Sequence, residues 1–211
     1  MITKKDVPQC FQLLERLNKI GVALSTEKSH TKLLEMILSE AMHLTNADGG
    51  TLYLVYKKNR LSFAIFANES LRIKPQSMID IGLPVTSIPL FIHGKPNLKN
   101  VASYCYHQNK TVFIQDAYQD KELVFSGMKK VDKKLGYQSR SFLNVPLRDH
   151  EGNTIGILQL INARDTATGT IISFRKEMGL AVESLASQAA ITLTKQELIQ
   201  SQKKYSIPCC R

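Results

Sequence analysis

The sequence predicts an α+β fold, an antiparallel sheet with helices packed on one face and irregular segments over the other. Three observations predict it. The long stretches of helical periodicity lie at the two ends of the chain. Between them lie two pairs of strand-like runs, each pair joined by a short polar turn. Residues 68–99, between the pairs, are irregular and punctuated by Pro75, Pro84, Pro89 and Pro96. Helices segregated from consecutive hairpins suit a layered antiparallel sheet, with a ligand cavity between the sheet and the covering segments.

The elements follow in order. Val7, Cys10, Leu14, Leu17, Gly21 and Leu24 form a heptad seam, widened by Leu13 and Ile20, on a helix over residues 4–24. Ser29 is the N-cap of a second helix, whose apolar face is Leu34, Ile37, Ala41 and Leu44, with Leu33 and Leu38 beside it. The run Asn46-Ala47-Asp48-Gly49-Gly50 ends that helix, its glycines tolerating the exit angles. Thr51–Tyr56 and Leu61–Phe66 are strands around the turn Lys57-Lys58-Asn59-Arg60. Met78–Ile81 is a short strand, Asn100–Asn109 a short helix and Thr111–Ile114 a strand. Residues 117–135 are polar and partly helical, ending at Gly136. Ser141–Leu147 and Thr154–Ile161 form the second hairpin, around Asp149–Asn153. From Ser173 to Lys204 the period is helical again: Phe174, Met178, Ala181, Leu185, Ala189 and Leu193 form one stripe, while Ile191 and Leu198 fall elsewhere. Such a helix is ~45 Å long, more than a small domain covers, so its end projects or pairs.

Composition bounds the function. The 211 residues are 43% hydrophobic, enough for one substantial core. No apolar run approaches a membrane span and no signal peptide is visible, so a cytoplasmic location is expected. Cys10, Cys105, Cys209 and Cys210 show neither metal-ligand spacing nor a disulfide framework. The net charge of +10 is distributed as scattered lysine pairs such as Lys129-Lys130 and Lys133-Lys134. That pattern predicts a solvated basic surface, not a nucleic-acid or membrane footprint, and leaves a basic pocket rim open. The histidines share no metal spacing, and no catalytic triad or phosphate-cradling glycine loop is present. No enzymatic activity, metal or cofactor is expected.

Three pieces carry a family resemblance. They are Asn100-Val101-Ala102 with Lys110 to Tyr118, then Val131 to Ser141, then Phe142-Leu143-Asn144-Val145-Pro146-Leu147 with Gly152 and Ile155-Gly156-Ile157-Leu158-Gln159-Leu160-Ile161-Asn162. In this order and spacing the chain resembles a GAF domain, over residues 5 to 204. With Ser87-Ile88-Pro89-Leu90 ahead of Lys95 to Val101, it is similar to bacterial GAF modules fused to HD-GYP phosphodiesterases or nucleotide cyclases, and to the regulatory GAF domains of phosphodiesterases. The resemblance implies a six-stranded antiparallel sheet with the first, second and last helices on one face. It also implies a homodimer through the first and last helices, and an output domain outside this chain. The expected organisation is a dimerisation helix over 1–27, a GAF core over 28–172, a signalling helix over 173–204 and a tail over 205–211.

The implied function is a sensory module that binds a small molecule, with a cyclic nucleotide among the candidates. The alternatives are a dimerisation scaffold with a vestigial pocket and a GAF-type methionine sulfoxide reductase. The implied ligand residues are Phe66, Val101, Ala102, Asp132 and Ser139. A carboxylate at Asp132 accepts from an exocyclic amine, and the Ser139 hydroxyl contacts a phosphate or ring nitrogen; Asp132 as a solvated loop residue is the competing reading. The cyclic-nucleotide motif of the family is kept at Asn162 and Phe174 but replaced at Ala163 and Met178-Gly179, and Leu135 stands where a threonine belongs. Asn162 as a strand-end residue and Phe174 as core are the competing readings there.

Overall fold

The computed structural model describes residues 6–76, 87–119 and 126–205. Helix α1 spans Asp6–Thr26 and α2 spans His30–Thr45. Ser29 caps α2 as expected: its backbone is extended and its side chain accepts from the Lys32 amide. The helix exit differs from the sequence reading. Asn46 alone makes the turn, at φ 51° and ψ 40°, and Ala47 already begins the first strand. Gly49 and Gly50 are strand residues, and packing explains them. A Cβ on Gly49 would lie 2.7 Å from the Asn68 amide, and one on Gly50 2.8 Å from Leu38 Cδ1.

Strands β1 (Ala47–Tyr56) and β2 (Arg60–Asn68) form a hairpin in which Lys57 and Lys58 both take positive φ, as a tight hairpin turn demands. Strands β3 (Ile73–Gln76) and β4 (Ser87–Pro89) pair with β2, while β5 (Phe91–Ile92) and β6 (Lys95–Pro96) make a separate ribbon. Then come α3 (Val101–Gln108), β7 (Val112–Ile114), α4 (Ser126–Leu135), β8 (Phe142–Arg148), β9 (Thr154–Arg164), β10 (Ile171–Ile172) and α5 (Lys176–Tyr205). The sheet runs β3-β2-β1-β9-β8-β7, antiparallel throughout, with β4 added on β2 and β10 on β9. The expected six-stranded sheet is this main path. β3 and β4 fall in the stretch read as irregular, because Pro75 and Pro89 inside such short runs hide a strand that only pairing reveals. The expected strand Met78–Ile81 lies outside the described residues.

One face of the sheet is filled by aliphatic side chains. Leu52, Ile65, Leu143, Val145, Leu147, Leu158 and Leu160 meet Leu33, Ile37, Leu38 and Ala41 of α2 and Val182, Leu185, Ala186 and Ala189 of α5. Helix α1 adds Ile20 and Leu24, so the first, second and last helices share this face.

The heptad seam of α1 is divided between core and surface. Leu17 and Leu24 are buried within the chain, and a Cβ on Gly21 would collide with Gln188 of α5. At Gly21 the seam therefore packs on α5 of the same chain. Leu14 is instead exposed, beside Phe11 and Val22; the side chains of Val7 and Cys10 lie outside the described residues. On α5, Leu180, Ile191 and Leu198 are 70%, 67% and 59% exposed. No helix among the described residues is long and apolar enough to cross a membrane.

Candidate functional site: a cavity between the sheet and helices α3 and α4

Alternation along the strands sends the other half of their side chains to the second face. A register row crosses it: Phe66 of β2, Thr51 of β1, Gln159 of β9 and Asn144 of β8 are successive cross-strand partners. A β-bulge adjusts β2. The register steps from Leu52↔Ile65 to Tyr53↔Phe63, so Ala64 is the extra residue. Residues 63 and 66 have opposite parity, and the bulge is what lets both rings face the same cavity.

That cavity has a volume of about 450 Å³. Its roof is α4, which presents Met128, Val131 and Leu135 to the interior at helical spacing and exposes Lys129, Lys133 and Lys134. Val101, at the start of α3, closes one end. Asn100 caps α3, its side chain accepting from the amides of Ala102 and Ser103. Lys99 is exposed at the rim and borders the cavity.

Four of the five residues expected from sequence meet here: Phe66, Val101, Asp132 and Ser139 all border the cavity. Ala102 does not. It is fully buried in the cluster beneath α3 with Cys105 and Val112, because consecutive helical residues point about 100° apart.

Asp132 and Ser139 are partners of each other. One Asp132 carboxylate oxygen accepts from the Ser139 hydroxyl at 2.7 Å, the other from the Ser139 amide at 2.8 Å and the Tyr118 hydroxyl at 2.7 Å. Asp132 is 3% exposed, so it is not a solvated loop residue. Desolvation, and then the hydrogen bond and charge of Asp132, push the Tyr118 phenol up to about 12. This clasp joins the last turn of α4 to the loop that leads into β8.

A second network holds the same loop. Asn162, at φ 57° in β9, uses its whole amide: Oδ1 accepts from the amides of Arg140 and Ser141, and Nδ2 donates to the Gln138 carbonyl and the Tyr137 hydroxyl. Tyr137 in turn donates to Asp48 at 2.7 Å. Asp48 is buried and paired with Arg164 at 2.6 Å, and it also accepts from the amide and hydroxyl of Ser70. Burial first, and then Asp48, raise the Tyr137 phenol well above its ordinary range. The side-chain amides of Asn68 and Asn162 oppose the rise, Asn68 from outside hydrogen-bond geometry. Asn162 and Phe174, the two kept motif positions, are thus a loop strut and a core ring. At the replaced positions, Gly179 lets the ring of Phe113 approach α5, where a Cβ would collide with it.

A third group was not foreseen from sequence. Tyr53 donates to Gln159 Oε1 at 3.2 Å, and Gln159 Nε2 donates to Asn144 Oδ1 at 2.8 Å. All three are buried. Their signal in the sequence was polar residues at inward-facing positions of strong strands.

The GAF domain model matches residues 29–193. The chain belongs to the GAF family. A relative among curated proteins is dual 3′,5′-cyclic-AMP and -GMP phosphodiesterase 11A of Takifugu rubripes, 28% identical over 142 residues. The match covers 66% of this chain and 14% of that relative. Among solved structures, the GAF domain of a phosphoenolpyruvate-protein phosphotransferase from Coxiella burnetii aligns with TM-score 0.64 at 12% identity, over 90% of this chain and 96% of that one. Free methionine-R-sulfoxide reductase of Neisseria meningitidis aligns with TM-score 0.60 at 18% identity, over 89% and 91%. At these identities the structures establish the fold. Cys105, the cysteine whose side chain is described in this GAF domain, is buried, and burial pushes its thiol up to about 12. A protonated, inaccessible thiol is a poor nucleophile. Among the described residues, no cluster of histidine, cysteine or acidic side chains could hold a metal. The cavity offers apolar contact and hydrogen bonding.

Proposed function

We propose that this GAF domain is a regulatory module that binds a small molecule in the cavity and transmits occupancy through a helical dimer interface. The observation that supports binding is the cavity of about 450 Å³, within the size range of ligand sites, on the sheet face opposite a closely filled core. Phe66 and Val101 supply apolar contact. Asp132 and Ser139 form the clasp that a ligand would engage or displace; three of the four acceptor positions of the carboxylate are filled. A ligand that favours one setting of α4 shifts the population toward it.

The dimer reading, through the first and last helices, draws on the exposed Phe11, Leu14 and Val22 of α1 and on α5. Leu180, Ser184, Ser187, Ile191, Thr194 and Leu198 recur at 4-3-4-3-4 spacing and are partly or fully exposed. An apolar seam of this kind is stabilised by pairing with a second copy. The output is proposed to be a domain of the HD-GYP or nucleotide-cyclase kind outside this chain.

A screen by thermal shift, including cyclic AMP, cyclic GMP and small metabolites, tests the binding. A true ligand raises the melting temperature with concentration. Cyclic nucleotides enter because the phosphodiesterase relative is named for acting on them. A scaffold with a vestigial pocket is the second reading, favoured by the mutual satisfaction of Asp132 and Ser139. It prevails if no compound shifts the transition.

A further inference from the structure

We infer that the cavity takes a neutral, planar aromatic ligand that presents a hydrogen-bond acceptor to its carboxamide-lined floor, with Gln159 and Asn68 as the selecting residues. This rests on the reading of the cavity as a ligand site and adds the chemistry of what enters it.

Shape is the first ground. The floor carries the rings of Tyr53, Phe63, Phe66 and Phe142, and α4 lies over it with aliphatic side chains. The Tyr53 and Phe63 rings already pack tilted, with centroids 4.7 Å apart. A flat ring inserted between floor and roof meets aromatic faces and edges on one side and aliphatic groups on the other, the surroundings that aromatic rings prefer.

Charge is the second. Among the described lining residues, the formal charges are those of Asp132 and Lys99, and no arginine is present. The Asp132 carboxylate is engaged by Ser139 and Tyr118. Lys99 is exposed at the rim. A phosphate carried to the floor would leave water without a cation to receive it, and an unpaired buried charge is strongly disfavoured.

Hydrogen-bonding capacity is the third. Gln159 uses one Nε2 hydrogen on Asn144 and one Oε1 lone pair on Tyr53, leaving one of each. Asn68 accepts from the Leu71 amide at 2.8 Å, which fixes its Nδ2 as the donor end. That Nδ2 has no hydrogen-bond partner among the described residues, although Asn68 is 1% exposed and borders the cavity. Buried donors without acceptors are disfavoured, and a carbonyl oxygen or ring nitrogen on the ligand satisfies them. Discrimination then falls on analogues of the same shape that lack the acceptor.

Calorimetric titration of the whole chain with three probes tests this: isoquinolin-1(2H)-one, naphthalene and cyclic AMP. The lactam is expected to bind about tenfold more tightly than naphthalene, the effect of one net hydrogen bond, and cyclic AMP more weakly than either. Gln159→Met should narrow the ratio of lactam to naphthalene affinity measured on that same variant, and residual naphthalene binding shows that the cavity persists. If naphthalene or cyclic AMP binds as tightly as the lactam, the inference is overturned and the ligand-site reading stands. If none of the three binds, the inference falls, and the site reading falls with it only when the wider screen is also blank. The comparison of probes on the unmodified protein decides the matter whether or not the variant folds.

Discussion

The two faces of one sheet are packed to different ends. On the helix face, seven branched aliphatic side chains from the strands are closed off by three helices. Among the described residues of those helices, the buried polar residues are Thr45 and Thr192, whose hydroxyls return to carbonyls of their own helices, while Gln188 buries its Oε1 against Gly21. On the cavity face, Thr51, Tyr53, Gln159 and Asn144 occupy strand positions that a filled core would give to leucine or valine. The first face supplies the density on which stability depends. The second exchanges density for room and for hydrogen-bonding groups.

Truncation should expose the difference most strongly. Leu158→Ala, at a fully buried position of the helix face, is expected to destabilise the protein by about 3–4 kcal/mol in urea unfolding. Val131→Ala, in the half-buried roof of an existing cavity, should cost about 1 kcal/mol or less. Equal costs would mean that α4 belongs to the core, and the contrast between the faces would fail.

Tyr137→Phe is next, at about 2 kcal/mol. The ring is kept, but Asp48 loses a donor and Asn162 an acceptor in a buried network. The same residue gives a pH signature. The phenols of Tyr53, Tyr118 and Tyr137 are all raised from 10.0, chiefly by burial. A raised group holds its proton more tightly when folded, so its stabilisation is complete below pH 10 and is lost progressively above it. Unfolding free energy should therefore fall as pH rises beyond about 10, and the fall should be shallower in Tyr137→Phe. A slope identical in the two proteins would remove Tyr137 from the account.

Ser139→Ala should cost about 1 kcal/mol. The hydroxyl bond to Asp132 is lost while the Ser139 amide and Tyr118 still hold the carboxylate. If stability is unchanged but ligand affinity drops, Ser139 acts toward the ligand and not as part of a clasp.

The contrast between the faces was only half legible in the sequence. The helix face announced itself through apolar stripes such as Leu33, Ile37 and Ala41, because burying apolar area is a periodic requirement. Four of the five expected pocket residues border the cavity, and they came through family resemblance. The row of Thr51, Gln159 and Asn144 went unread because the three are neighbours only through pairing across strands far apart in sequence. Phe63 joins Phe66 on the same face through a bulge at Ala64, which no alternation rule anticipates. The seam of α1 was legible as apolar, but periodicity does not say whether its partner is a second chain or the chain's own α5. Gly21 meets Gln188 of the chain's own α5, while Phe11, Leu14 and Val22 of α1 stay exposed.

The smallest effect on the fold should come from Ile191→Lys. At 67% exposure the side chain takes little part in either face of the sheet, and a surface substitution of this kind changes stability by about 0.5 kcal/mol or less. Its effect on assembly is expected to be much larger. In the exposed row of α5, Leu180, Ile191 and Leu198 alternate with the small residues Ser184, Ser187 and Thr194, and a lysine on that seam would place charges opposite each other in a symmetric pair. Sedimentation at matched concentrations should show a dimer for the parent and a monomer for the variant, with their urea transitions nearly superimposed once assembly is allowed for. Loss of stability without loss of the dimer would return Ile191 to the core and take α5 out of the signalling path. Loss of the dimer alone would separate the two roles of this helix by its two sides, the one carrying Leu185 and Ala189 that closes the sheet and the one carrying Ile191 that pairs.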